Sequence, residues 1–302
     1  MKKNFTMNKP MLSGIIAYTI TPFSEDGEHL NIKALNSLID ALIDSGANAI
    51  AALGSAGEGV YLDDDEWKRV ALSTVKHVNG RIPVIIGIAA LTTKKAVDRA
   101  MYAFEIGAQA IMVSPFSYYR LTEDEIYDHY AAISAATSLS IMIYNNPATC
   151  GVDMSPEFML SMVENIDNAT MIKVSTGNLQ RMRTLHRLSK GSVPFFNGCN
   201  YIALDALNAG AVGWCTAAPC LLNDLPKQLF DCVQQGQVNK AEALFERQLP
   251  LLEFIVNGGL ASTVKAGLDI KGLAVGVVRR PLKQLTTEKK KTLEHILLQV
   301  IG

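Results

Sequence analysis

No apolar run in this chain approaches the roughly 20 residues that a membrane-spanning helix requires. The longest, such as Ala110 to Pro115 and Ser140 to Tyr144, stop after a few residues, so no membrane partner is expected. Charge of one sign is equally scarce. Lys and Arg total 28 against 29 Asp and Glu, which leaves no net field to hold a phosphate backbone, and nucleic acid is not an expected partner. Cysteine is sparse and odd in number: Cys150, Cys199, Cys215, Cys220 and Cys232 show no paired Cys-x-x-Cys spacing. That argues against a disulfide framework or a zinc site and for reduced, mostly buried thiols. His29, His77, His129, His186 and His295 are scattered over expected helices and the first loop, without metal-ligand spacing or a nucleophile elbow. Met1 to Pro10 carry lysines but lead into no apolar stretch with a small-residue cleavage site, so a secretory leader is not expected and a cytosolic address follows by default.

What is present is a long, evenly patterned chain. Its 302 residues, 49% of them hydrophobic, can bury a large core as one barrel-sized domain or as two smaller ones. From Gly14 to about Gln235, short apolar or β-branched runs alternate with amphipathic stretches, the βα pattern. The expected strands are Gly14 to Thr19, Asn48 to Ala52, Ile82 to Gly87, Ala110 to Ser114, Ser140 to Tyr144, Thr170 to Val174, Pro194 to Asn197 and Ala211 to Thr216. Eight such strands predict an α/β fold, a (β/α)8 TIM barrel over residues 1–235 that carries the active site. Helix starts are marked by Asn31, Asp63, Thr92, Thr122 and Ser155, and Pro156 suits a first helical turn because its missing N–H would be unpaired there. Glycines in "SGANAI" and "IGAQAI" mark helix ends. Beyond Gln235 the strand signals stop, and residues 236–302 read as a C-terminal helical domain, with helices at Gln237 to Val256 and Thr286 to Ile301. A doubly wound open sheet would normally carry a Gly-rich phosphate loop after its first strand, and "YTITPF" is not one.

Barrel active sites are built at the C-terminal ends of strands. The residue least expected at such a place is Lys173, in "NATMIKVSTGN", where the strand is otherwise apolar or small. Burial disfavours the charged amine, and bringing a lysine from about 10.4 toward neutrality takes roughly 4 kcal/mol, which a desolvated strand end can supply. The free amine then attacks a ketone. The competing reading is a lysine that reaches out at the barrel rim to pair with a carboxylate. Tyr144 ends the preceding strand, so its phenol either relays protons beside Lys173 or simply caps the core. Asn145, Asn146 and Pro147 form a turn in either case. The loop "LGSAGEGV", Leu53 to Val60, either cradles an anion with backbone N–H groups and Ser55 or merely turns the chain. "FNGCN" and "GWCTAAP" supply further glycine-bearing strand ends as pocket walls. The acidic cluster Asp63 to Glu66 is accounted for by its place at a helix start.

Taken together, these residues resemble the dihydrodipicolinate synthase and N-acetylneuraminate lyase family, from about Met11 to the C-terminus. "GSAGE" at Gly54 to Glu58 is similar to the family's G-[ST]-x-G-E loop, "YNNP" at Tyr144 to Pro147 to its Y-N-x-P, and "IKVSTGNL" at Ile172 to Leu179 to its lysine strand. The resemblance implies that Lys173 forms the imine, Tyr144 relays protons, and Ser55 with the Ala56 N–H holds a keto-acid carboxylate. It further implies that Gly198 and Cys215 line the pocket, Cys215 through its backbone carbonyl, and that the chain forms a homotetramer of tight dimers. Three departures stand out. The family's dihydrodipicolinate synthases carry an arginine where Thr149 stands; the family's second tyrosine, often lent by a neighbouring subunit, corresponds to Ser117; and a frequent acidic residue after the lysine is replaced by Val174. Tyr118 or Tyr119 replaces that second tyrosine if the loop shifts. The expected function is a class I aldolase or lyase acting on pyruvate or a longer 2-keto acid and an aldehyde, with no metal or organic cofactor. A keto-deoxy sugar acid is the expected substrate, with a dehydratase, a true dihydrodipicolinate synthase and a catalytically silent 2-keto-acid-binding barrel as alternatives.

Overall fold

The computed structural model describes residues 12–301. The reading of Met1 to Pro10 lies outside the described residues. Eight parallel strands form a closed barrel in sequence order: β1 (Gly14–Tyr18), β2 (Ala49–Ala52), β3 (Val84–Ala89), β4 (Ala110–Ser114), β5 (Ser140–Asn145), β6 (Ala169–Val174), β7 (Phe195–Asn197) and β8 (Gly213–Thr216). β8 pairs with β1 to close the ring. Helices cover the outer face, so the strands are buried on both sides, and that is why they read as continuous apolar runs and not as alternating ones.

The helices are α1 (Ile32–Asp44), α2 (Asp64–Val78), α3 (Thr93–Glu105), α4 (Glu123–Ala136), the short α5 (Pro147–Cys150), α6 (Pro156–Asn165), α7 (Leu179–Ser189), α8 (Ala203–Asn208), α9 (Pro219–Leu222) and α10 (Leu225–Gln234). Each expected start signal acts as one. The side chains of Asn31, Asp63, Thr92, Thr122 and Ser155 accept backbone N–H groups of the first helical turn. In α2 and α4 the bond is returned, by Glu66 and Glu125, to complete capping boxes. Gly46 and Gly107, with φ of +82° and +88°, turn the chain from α1 into β2 and from α3 into β4.

One boundary differs in a way that matters for the site. The expected third strand begins at Ile82 and ends at Gly87, whereas β3 begins after Pro83 and runs on to Ala89. The Val84 N–H is taken by the Gln109 side chain at 2.7 Å, which starts the strand there. Gly87 lies inside β3 because a Cβ at that position would come within 2.6 Å of the Leu53 carbonyl oxygen. The loop after β2 therefore crosses directly over the end of β3.

After the barrel come α11 (Val238–Gly258), α12 (Leu260–Ile270) and α13 (Thr287–Ile301), packed on one another and on α9 and α10. Two of these match the expected helices, while α12 was not singled out in the sequence. All five cysteines are buried and free. Among the described residues no helix is long and apolar enough to cross a membrane.

Candidate active site

Lys173 is the penultimate residue of β6, in register with Tyr144 on β5 and Phe196 on β7. Its residue is 2% exposed. The Nζ stands 3.7 Å from the Tyr144 ring centroid, 4.3 Å from that of Tyr18 and 3.9 Å from the Met112 sulfur. Two aromatic faces and a thioether thus wall the amine, and no described ion pair involves it. The side chain does not reach a carboxylate at the rim.

Tyr144 is buried, and its hydroxyl accepts a hydrogen bond from the Asn146 side chain at 2.8 Å. Burial alone would push this phenol up. The positive charge of Lys173, together with hydrogen bonding to Ser55, Asn146 and Lys173, outweighs burial and holds Tyr144 below the usual tyrosine value. Tyr18 goes the other way. Burial first, and then its neighbours Cys215 and Tyr144, raise it well above 10, so it stays neutral and its hydroxyl donates a hydrogen bond to the Met112 sulfur at 2.8 Å. Burial also pushes the Cys215 thiol up to about 11, against the pull of Lys173 and Tyr18, so it is a packing group and not a thiolate nucleophile.

The loop after β2 is coiled on itself. Gly57 and Gly59 donate to the Gly54 carbonyl and Glu58 to that of Ser55, while Leu53 and Glu58 adopt φ of +63° and +53°. The amides of Ser55 and Ala56 donate to no acceptor among the described residues, which leaves two N–H groups in succession beside the Ser55 hydroxyl, the arrangement that receives a carboxylate.

A cavity of about 800 Å³ joins these parts, with Ser55, Tyr144, Lys173, Gly198 and Cys215 on its wall. Ala56 is buried behind that wall. Gly198 is there for space, since a Cβ would fall 1.9 Å from the Ser175 hydroxyl and 2.6 Å from Lys173 Cε. Thr149 also lines the cavity, and no arginine among the described residues does. Ser117 lies outside the lining, its hydroxyl accepting the Tyr119 N–H at 3.2 Å; Tyr118 and Tyr119 are outside it too.

Tyr18, Met112, Asn146 and Ser175 belong to the site and were not found in the sequence. Asn146 was read only as a turn residue, yet it bonds the Tyr144 hydroxyl. Ser175 was read only as the start of a loop, yet its hydroxyl is buried, unpartnered and on the cavity wall beside Lys173. A hydroxyl one strand pitch beyond an inward lysine is the signal that was available.

Known proteins resemble this chain over nearly its whole length. The family model described as the dihydrodipicolinate synthetase family matches residues 11–300. A 4-hydroxy-tetrahydrodipicolinate synthase of Oceanobacillus iheyensis is 30% identical over 283 residues, 94% of this chain and 95% of the relative. One from Halalkalibacterium halodurans is 31% identical over 280 residues, 93% of this chain and 94% of the relative. Among solved structures, a Pseudomonas aeruginosa protein provisionally assigned as a dihydrodipicolinate synthetase is 50% identical, with a TM-score of 0.94 over 96% of this chain and 100% of its own. The chloride-inhibited dihydrodipicolinate synthase of Acinetobacter baumannii, solved with pyruvate, is 27% identical, with a TM-score of 0.91 over 96% of this chain and 99% of its own.

Proposed function

The chain belongs to the dihydrodipicolinate synthetase family, and from that premise we propose that it is a class I carbon–carbon lyase in which Lys173 forms an imine with pyruvate or a longer 2-keto acid. The observation that carries this reading is the Lys173 amine, 2% exposed, unpaired with any described carboxylate and 3.7 Å from the Tyr144 ring. The acid's carboxylate binds the Ser55 hydroxyl and the Ser55 and Ala56 amides, which puts its C2 carbonyl against Nζ. Lys173 first passes a proton to Tyr144, its neutral amine adds to C2, the carbonyl oxygen takes up that proton and one from the nitrogen and leaves as water, and the protonated imine remains. In the cleavage direction Tyr144 accepts the C4 hydroxyl proton, the C3–C4 bond breaks, an aldehyde departs and the electron pair passes to the imine as an enamine. Protonation at C3 and hydrolysis return the amine and the 2-keto acid. Gly198 keeps the approach to Nζ open. Cys215 completes the wall.

The carbonyl partner is an aldehyde without a second carboxylate, or a keto-deoxy sugar acid cleaved to one. With Thr149 in the cavity and no described arginine on its wall, the acidic end of aspartate semialdehyde has no cation to bind. The named relatives favour dihydrodipicolinate synthesis as the second reading, with a rearranged anchor. A dehydratase would use the same imine. Borohydride reduction with a panel of 2-keto acids, followed by peptide mass mapping, tests the reading: an adduct on Lys173 with pyruvate is expected, and an adduct elsewhere or with no acid at all defeats it. Aldehyde release from keto-deoxy sugar acids then separates a lyase from a silent binding barrel, which would trap pyruvate without turnover.

A further inference from the structure

A second buried lysine lies in α12, outside the chemistry above. Lys265 is 3% exposed, and its Nζ is 2.6 Å from Glu58 Oε1, a side chain with 0% exposure. The same amine donates to the Val277 carbonyl at 2.7 Å and stands 4.2 Å from the Phe23 ring centroid. The other Glu58 oxygen accepts the Arg279 backbone N–H at 2.7 Å. Arg279 in turn closes a two-bond fork on Glu66 of α2, 2.9 Å on each arm, and lies 4.3 Å over the face of Phe23. These contacts converge on Glu58, two residues beyond Ala56 in the loop whose Ser55 lines the cavity and whose Ser55 and Ala56 amides have no acceptor among the described residues. Glu58 also holds a left-handed backbone, φ +53°, which a non-glycine residue keeps only where its surroundings hold it.

A pair buried this completely is a poor way to add stability, because stripping both charges of water offsets most of their attraction, and an apolar pair of equal volume would serve as well. A charged pair does fix the position of the carboxylate. We propose that the Glu58–Lys265 pair positions the substrate-carboxylate loop, tying it to α12 and to the segment carrying Val277 and Arg279, so that the C-terminal helices set the affinity of the site for its 2-keto acid. This rests on the reading of Ser55 and Ala56 given above. Both side chains of the pair are buried, so it acts through the loop, and Glu58 forms part of the cavity wall.

The test uses the full chain and pyruvate as probe. Glu58→Gln/Lys265→Met removes both charges together and leaves neither buried alone. The expected result is a folded protein whose half-saturating pyruvate concentration for borohydride trapping rises by about tenfold, the cost of about 1.4 kcal/mol of lost loop order, while trapping at saturation stays near the wild-type rate. Half-saturation unchanged, or a fall in the saturated rate alone, would overturn the proposal.

A second measurement stands if that variant does not fold. Lys265 faces Glu58 from the β2 loop, Arg279 and the Val277 carbonyl from the segment after α12, and Phe23 from the segment after β1; Arg279 is balanced by Glu66 of α2, with Glu28 also near. Burial, opposed by Glu58 and helped by Arg279, brings Lys265 down to about 8. The wild-type half-saturation should therefore rise as pH passes about 8, where the amine loses its charge and its hold on Glu58, relative to Lys265→Arg, which stays charged. Tyr144 titrates in both proteins and cancels in the comparison. Parallel profiles would overturn the proposal. If the wild type traps no acid at any pH, the imine reading has failed; if it traps normally and the variants match it, only the positioning role has.

Discussion

At the level of single residues, the proposed chemistry depends on the Lys173 amine held against the Tyr144 ring. Lys173→Ala should abolish trapping outright, whereas Tyr144→Phe should still bind pyruvate but turn over roughly 100-fold more slowly or worse, the range for losing a proton-transfer group. Steady-state kinetics beside trapping separates the two, and normal turnover in the phenylalanine variant would remove Tyr144 from the mechanism. The role of Asn146 has a sharper test. Burial pushes Tyr144 up, but Lys173 and the hydrogen-bond donors around the phenol, Asn146 among them, bring it below 10, so the proton-accepting form appears at lower pH than for a free tyrosine. Asn146→Leu removes one of those donors, and the rising limb of kcat/KM should move to higher pH; a limb that stays put would mean that Asn146 only shapes the turn. Gly198→Ala places a methyl on Lys173 Cε, and because small displacements of a reacting group are expensive, its trapping rate should fall by about 100-fold in a protein that still folds. Lys173 was legible in the sequence because a lysine is out of character for an apolar strand, and Tyr144 because it ends the strand before it. Asn146 and Ser175 were not, since asparagine after a strand and serine at a loop start are ordinary turn chemistry, and only the three-dimensional path of the loop aims them at the site.

At the level of elements, the sequence conveyed existence better than edges. All eight strands are where the apolar runs lie, because strands buried on both faces have no alternation to obscure them. Helix starts were readable for a local reason: a cap and the amide it accepts are two or three residues apart. Thr122→Ala deletes one such cap and should cost about 1 kcal/mol, a fall of about 2 °C in Tm by calorimetry, with pyruvate trapping unchanged. The end of β3 was misjudged because its glycine answers to Leu53 in the loop after β2, a long-range constraint that no local pattern carries. The same holds for α12. Its sequence, "LASTVKAGLDI", is short and rich in small residues, and Lys265 reads as one more helical lysine until Glu58 is brought to it across the fold.

At the level of the whole molecule, a closed barrel has no free sheet edge, so association must use side-chain faces. The structure offers an aromatic one. Tyr118 and Tyr119, 84% and 77% exposed, stack edge to face with centroids 5.2 Å apart, beside the position where Ser117 replaces the family's second tyrosine. Two large rings left in water are poor economy for a monomer, and covering them would contribute roughly 1.5–3 kcal/mol each. The expected assembly is the homotetramer of tight dimers, with this pair at a subunit contact. Sedimentation velocity should then show a tetramer for the wild type and smaller species for Tyr118→Ala/Tyr119→Ala. If one of these hydroxyls also reaches the neighbouring cavity, Tyr118→Phe or Tyr119→Phe will keep the tetramer and lower kcat, whereas a fully active monomer would confine the proton relay to Tyr144 and its own chain.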